Sequence, residues 1–259
     1  MGVVNVTPDS FSDGGRFFDP SAAVDHAMRL VEEGADILDV GGESTRPDAS
    51  PVSAEEELRR VLPVVAELAK RSPVPISLDT MKAEVARAGL DAGACILNDV
   101  AGFRDPAMIA VAKEFGAGVV VMHMRGTPQT MQQTPEYADV VAEVDAFFAE
   151  RIRTLTEVGI DPDAICLDPG IGFGKTLDHT LAQLRHLGTH QRYGRPVCLG
   201  VSRKGFLGQL TGRDRPERMA GTLAVSCFAL ARGAAQVLRV HDVAPHRDAV
   251  RVWQAVRGM

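Results

Sequence analysis

Polar groups follow short apolar runs at regular intervals: Asn5, Asp39, Asp79, Asn98 with Asp99, His123, Asp168, Ser202 with Arg203 and Lys204, then Arg239 and His241. Carboxylates, amides, ammonium, guanidinium and imidazole groups bond, charge or move protons on a substrate. A polar residue that merely opens a loop accounts for one such position. A whole series points to a shared rim, because the C-terminal ends of parallel strands in a barrel gather the catalytic groups. The strand ends alone suggest a magnesium-dependent barrel lyase. That reading does not explain three polar, Gly/Pro-rich segments: 5–15 (Asn-Val-Thr-Pro-Asp-Ser-Phe-Ser-Asp-Gly-Gly), 41–47 (Gly-Gly-Glu-Ser-Thr-Arg-Pro) and 202–208 (Ser-Arg-Lys-Gly-Phe-Leu-Gly). The first two exceed the roughly two to six residues usual for strand-to-helix connections, as substrate loops do.

The elements that must position these groups follow from hydrophobic period. Strands are predicted over 2–6, 37–40, 76–79, 96–100, 118–122, 165–168, 196–201 and 236–240. Helices are predicted over 21–33, 53–71, 81–92, 106–115, 138–158, 177–187, 216–232 and 245–256. Ser53 with Glu56 three residues on forms a capping box, and Gly34, Gly93, Gly159 and Gly233 stand where helices should stop. Alternating strands and helices imply parallel strands with right-handed crossovers, so the choice lies between an open doubly wound sheet and a closed barrel. Eight units in 259 residues favour the barrel, and no linker or low-complexity tract divides residues 1–259 into more than one domain.

Composition excludes several classes. With 28 Lys+Arg against 34 Asp+Glu and a net charge of -6, the chain lacks the basic excess of a nucleic-acid or membrane-surface binder. No apolar run reaches the roughly 18 residues of a membrane span, and no secretory leader pattern opens the chain, so a soluble cytoplasmic protein is expected. Cys95, Cys166, Cys198 and Cys227 have no C-x-x-C spacing and are expected as buried free thiols.

Segments 5–15, 41–47, Asp168-Pro-Gly-Ile-Gly-Phe-Gly-Lys175, 202–208 and Arg239-Val-His241 together resemble the dihydropteroate synthase family over essentially the whole chain. The resemblance implies a single-domain TIM (β/α)8 barrel. Such an enzyme joins 6-hydroxymethyl-7,8-dihydropterin diphosphate to p-aminobenzoate, releasing diphosphate with Mg²⁺ assisting, and a homodimer is expected. By the same resemblance Asp79, Asn98 and Asp168 hold the pterin edge, Lys204 donates to its carbonyl and ring nitrogen, and Met122 forms an apolar wall. Arg239 and His241, two residues apart on one strand face, could clamp the diphosphate. Asn5 offers an amide oxygen to Mg²⁺, joined by Asp13 through its loop. For p-aminobenzoate, Ser202 and the backbone N–H groups of the following helix receive the carboxylate. The ring then lies among Phe173, Pro47, Thr7, Pro8, Phe11 and the Lys204 stem, beside Arg203, which is expected to pack rather than to bond. Thr45 and Arg46 close the second loop, and Asp13 and Arg46 approach when both loops order. An aryl amine is already neutral at pH 7, so no general base is nominated and catalysis rests on positioning and charge stabilisation.

The family usually carries a lead-in before the first strand, whereas here Met1 nearly begins it, and lower stability, partly offset by dimerisation, is the expectation. Other signals are set aside. Gly174-Lys175-Thr176 imitates the end of a P-loop, but Pro169 stands where the first glycine belongs. Gly170-x-Gly172 lacks its third glycine, since Lys175 occupies that place, and the sequon at Asn5 has no meaning in a cytoplasmic chain. His123 is expected to line the mouth or to hydrogen-bond, while His26, His179, His186, His190 and His246 are expected at the surface. Two other readings stay open: a catalytically silent pterin binder, and a pterin-dependent methyltransferase, which would need no diphosphate clamp.

Overall fold

The apolar runs are buried on both faces, as parallel strands require when helices cover them, except the last, Val237–Leu238, which is half-buried. The computed structural model describes residues 1–7, 19–45, 50–131, 133 and 135–258. Its strands are β1 (Gly2–Asn5), β2 (Leu38–Gly41), β3 (Ile76–Asp79), β4 (Ile96–Asp99), β5 (Gly118–Met122), β6 (Ile165–Asp168), β7 (Cys198–Leu199) and β8 (Val237–Leu238). Strands β1 to β6 pair in sequence order as one parallel sheet, and β7 pairs with β8. Isolated parallel bridges Leu167↔Val197 and Gly2↔Val240 join the two pieces, which closes the ring. The eighth strand therefore meets the first, as in a (β/α)8 barrel.

The helices are α1 (Pro20–Glu32), α2 (Ala54–Arg71), α3 (Ala83–Asp91), α4 (Pro106–Phe115), α5 (Val140–Glu157), α6 (Leu177–Arg185), α7 (Gly205–Thr211), α8 (Met219–Ala231) and α9 (Val243–Arg257). The inward stripes of α1 to α5, such as Val61, Val64, Val65 and Leu68 of α2, pack on the strands in one core, while Phe206 and Leu207 of α7 and Ala229 of α8 pack with Leu199 in a second cluster. Gly34, Gly93, Gly159 and Gly233 all hold positive φ just beyond helix ends, as their spacing predicts.

Several expectations need correction. The capping box at Ser53 is half made: Ser53 Oγ accepts from Glu56 N at 3.2 Å, but the Glu56 carboxylate turns outward to Arg59 and Arg60. The expected strands 196–201 and 236–240 shrink to two-residue ladders, while 205–211, part of the third loop motif, is helical. The predicted helix 216–232 starts later, after a 3-10 turn over Arg215–Glu217. Of the four cysteines, all free, Cys198 is buried, Cys166 and Cys227 are half-buried and Cys95 is exposed. His190 and His246, expected at the surface, are 0% and 4% exposed. Among the described residues no helix is long and apolar enough to cross a membrane.

Candidate active site at the barrel mouth

Strand register sets the rim. Asn5 pairs with Gly41, Gly41 with Asp79 and Asp79 with Asn98, so four neighbouring strands bring one row to the same height. Gly41 opens space within that row, since a Cβ there would stand 3.2 Å from Asp79 Cβ. On the next strands Met122 pairs with Asp168.

The centre of this rim is a charge network. Arg239 donates from Nε to Asp39 Oδ2 and from an Nη to Asp79 Oδ2, both at 2.6 Å. Asp39, fully buried, also accepts from Ser77 Oγ at 2.6 Å and from Asn98 Nδ2 at 3.1 Å, which orients the Asn98 amide. Burial would lower the Arg239 guanidinium, but Asp39 and then Asp79 raise it beyond its ordinary value. Burial pushes the Asp79 carboxyl up to about 7 against the pull of Arg239. The Arg239 guanidinium, expected at the diphosphate, is paired with two carboxylates through Nε and one Nη. Asp39 is singled out among the strand-end groups by the sequence but given no role in the site. It stands inside its strand with an apolar residue on either side, and its three partners lie 38, 59 and 200 residues away.

Around Gly200, built-in side-chain space would meet Lys204 Nζ, Asp168 Oδ2 and Arg239 Cβ, all within 4.0 Å, so these three residues face one another. Lys204 Nζ donates to Ile171 O and stands 4.6 Å from the centre of the Phe173 ring. Burial pulls the Lys204 ammonium down to about 8, with Asp168 holding it up. The Asp168 carboxyl is raised by burial, opposed by Lys204, and accepts from Gly170 N at 2.7 Å. Val100, Met122, Met124 and Met131 form an apolar cluster, and Phe173 and Met81 pack on it, so Met122 and Phe173 share one apolar wall.

Ser202 and His241 meet at 2.9 Å between Oγ and Nδ1. Burial and then Arg239 lower the imidazole to about 4, so His241 is neutral at pH 7 and acts by hydrogen bonding. Arg203, expected to pack rather than to bond, is held by an ion pair: its Nε donates to Asp242 Oδ2 at 2.8 Å. The left-handed backbone at Arg203, φ 57°, separates the two neighbouring side chains. A cavity of about 550 Å³ between β1, α1 and the start of α9 is lined by Asn5, His241, Arg203 and Asp242 and by His26 of α1 and Glu33 at its end. His123 lies behind the rim and bonds Lys175, the second residue that motif reading did not place in the site.

Thr7 and Thr45 lie at the edges of the described segments, whereas Pro8, Phe11, Asp13, Arg46 and Pro47 fall outside the described residues. Among the described residues no group of three or more His, Cys, Asp or Glu is placed to hold a metal. Magnesium takes one or two protein oxygens, several waters and phosphate oxygens, so the Asn5 amide fits an ion that enters with a diphosphate rather than a caged resident ion.

Comparison with known proteins agrees with this geometry. The family model described as pterin binding enzyme matches residues 1–241. The dihydropteroate synthase of Escherichia coli K12 is 47% identical over 255 residues, covering 98% of this chain and 90% of that protein. A structure of Xanthomonas albilineans dihydropteroate synthase with 4-aminobenzoic acid superposes with a TM-score of 0.94 at 49% identity, covering 100% of this chain and 93% of that one. The Yersinia pestis enzyme in complex with a sulfonamide drug gives 0.94 at 42% identity, with 100% and 94% coverage. With the family's motifs on its strand ends and this likeness along its whole length, the chain belongs to the dihydropteroate synthase family of transferases.

Proposed function

We propose that the rim divides the family's reaction, condensation of 6-hydroxymethyl-7,8-dihydropterin diphosphate with p-aminobenzoate to 7,8-dihydropteroate and diphosphate, between two sets of residues. The observation that carries this reading is the meeting of Asp168, Lys204 and Arg239 around Gly200 beside the row from Asn5 to Asn98. A pterin edge presents N–H donors and a carbonyl. Asp79, Asn98 and Asp168 supply acceptors and an amide, and Lys204 turns from Ile171 O to the pterin carbonyl and ring nitrogen. Met122 gives the apolar wall.

Asn5 and His241 face the diphosphate from the cavity they share, and Arg239 adds charge from behind its two aspartates. Asn5 and Asp13 would hold a magnesium ion, which when bound would supply positive charge for the departing diphosphate. The C–O bond to diphosphate breaks early, and the electron-rich pterin carries the charge left on its methylene carbon. The arylamine nitrogen then forms the C–N bond and its surplus proton passes to solvent. No side chain needs to act as a strong base, so the residues position and stabilise.

The p-aminobenzoate ring lies against Phe173 and the Lys204 stem, with Thr7, Pro8, Phe11 and Pro47 from the two long loops and its carboxylate at Ser202. Asp13, Thr45 and Arg46 close over it. Arg203, held by Asp242, acts through the turn that separates it from Lys204.

The protein also forms a homodimer. Helix α8 carries no charged residue, and its outer side leaves Phe228 exposed, while Val252 and Val256 of α9 are also exposed. An apolar surface of this kind suits a self-complementary contact.

The purified protein is tested with the dihydropterin diphosphate and Mg²⁺, with and without p-aminobenzoate. Diphosphate release and dihydropteroate are both followed. Product that needs both substrates supports the synthase. Tight pterin binding without product favours a silent binder instead. Lys204→Ala loses pterin binding and turnover together, whereas Arg46→Ala keeps pterin binding and loses product. Equal losses of pterin affinity would refute that division.

A further inference from the structure

Lys175 belongs to the segment that imitates a phosphate loop, yet its side chain turns into the protein and is 4% exposed. Its Nζ lies 3.0 Å from Gly170 O, 3.1 Å from Phe173 O and 3.0 Å from His123 Nδ1. An ammonium has three N–H donors, so these three acceptors satisfy it. Burial and then Lys175 drive the His123 imidazole down to about 2, which leaves it neutral with Nδ1 free to accept.

The backbone is shaped for this contact. Gly170 and Gly174 hold φ of 61° and 59°; a Cβ would stand 1.9 Å from His123 O at the first and 2.6 Å from Arg125 O at the second. The chain between them curls around the ammonium and presents two carbonyls to it. Tyr137 fastens the far side, its hydroxyl donating to Gly174 O at 2.8 Å. The hydrogen-bond partners of Lys175 Nζ are thus neutral, and burial, with Lys204, pulls the ammonium down to about 7 against the opposing charge of Asp168. A buried cation held by neutral acceptors is costly compared with an apolar side chain of the same length. The retained charge therefore needs a return beyond packing. That return lies in Phe173, whose carbonyl Lys175 grips and whose ring stands under Lys204 and against the Met122 cluster.

We propose that Lys175 is a positioning residue: by gripping the carbonyls of Gly170 and Phe173 it fixes the Phe173 ring against which p-aminobenzoate is seated. The proposal rests on the substrate placement given under Proposed function. Lys175→Met keeps the length of the side chain and removes its donors, and Lys175→Gln keeps an amide donor on a shorter stem. The expected result for Lys175→Met is a roughly tenfold rise in KM and in the calorimetric Kd for p-aminobenzoate. Pterin affinity should stay within about twofold, with Lys175→Gln intermediate. In a Phe173→Ala background, Lys175→Met should add less than about twofold, because two residues acting through one contact are not additive.

Unchanged p-aminobenzoate affinity, equal losses for both substrates, or full additivity with Phe173→Ala overturns the proposal. Failure of both variants to fold assigns Lys175 to barrel stability and overturns it as well. Dihydropteroate formation by the unsubstituted protein is measured alongside. Its absence would refute the reaction, while the Kd values, taken with pterin and diphosphate present, still decide the role of Lys175.

Discussion

On the β2–β4 side of the mouth one guanidinium, Arg239, stands between two carboxylates, whereas on the β6–β7 side two ammonium groups, Lys175 and Lys204, share the neighbourhood of the single carboxylate Asp168. The first side is paired before any ligand arrives. Its bonds to Asp39, Ser77 and Asn98 fix the acceptor geometry, and a substrate meets a finished surface. On the second side Lys204 rests on a carbonyl oxygen and an aromatic face, partners that a ligand oxygen or ring nitrogen can replace, while Lys175 keeps its own buried acceptors. Paired charge here is framework, and underpaired charge is binding capacity.

The comparison breaks most visibly at Arg239. Arg239→Met leaves Asp39 and Asp79 facing each other without a cation, and we expect a loss of about 4 kcal/mol in urea unfolding, together with the activity. On the other side, Gly170→Ala forces a Cβ into His123 O and a non-glycine residue into the left-handed region; about 3 kcal/mol and weakened p-aminobenzoate binding should follow. Ser77→Ala removes one bond to the buried Asp39 and should cost about 2 kcal/mol, with the arginine pairs intact in the variant's crystal structure.

The pH dependence sharpens the contrast. The raised Asp79 carboxyl binds its proton more tightly in the folded chain, so stability should fall as pH rises from its ordinary 3.8 to about 7. The lowered Lys175 ammonium does the reverse: stability should rise from about pH 7 to its ordinary 10.5. Each limb is limited to about 1.4 kcal/mol per pH unit per proton. Thermal melting across pH reads both limbs; Asp79→Asn should flatten the acidic one and Lys175→Met the alkaline one.

Local pattern was enough for much of the frame. Ile76–Asp79, Gly118–Met122, Ile165–Asp168 and Pro106–Phe115 fall where period and flanking residues put them, because each is bounded by a turn residue or a cap with a local cause. The last two strands were overextended, since residues such as Val201 and Val240 are apolar without joining a ladder longer than two residues. The strand-end groups Asp79, Asn98, Asp168 and Lys204 were legible as a set. Their pairing was not, because Arg239 reaches Asp39 across 200 residues and no spacing rule records that. Lys175 was hidden for a related reason: its partners are backbone carbonyls, which leave no mark on residue type.

The closing bridge from Gly2 to Val240, with Val3 N bonded to Val240 O and Val240 N to Met1 O, joins segments far apart in sequence. Such a ring has a definite order of assembly during synthesis. β1 leaves the ribosome with an unpaired edge and keeps it until residue 240 has followed, and contacts so distant in sequence form slowly. The site matures on the same schedule, since Asp39 and Asp79 acquire their cation only with residue 239. A nascent chain stopped short of that point would hold neither a closed barrel nor a balanced rim, so pterin binding should be gained in a single late step as the C-terminal strand docks.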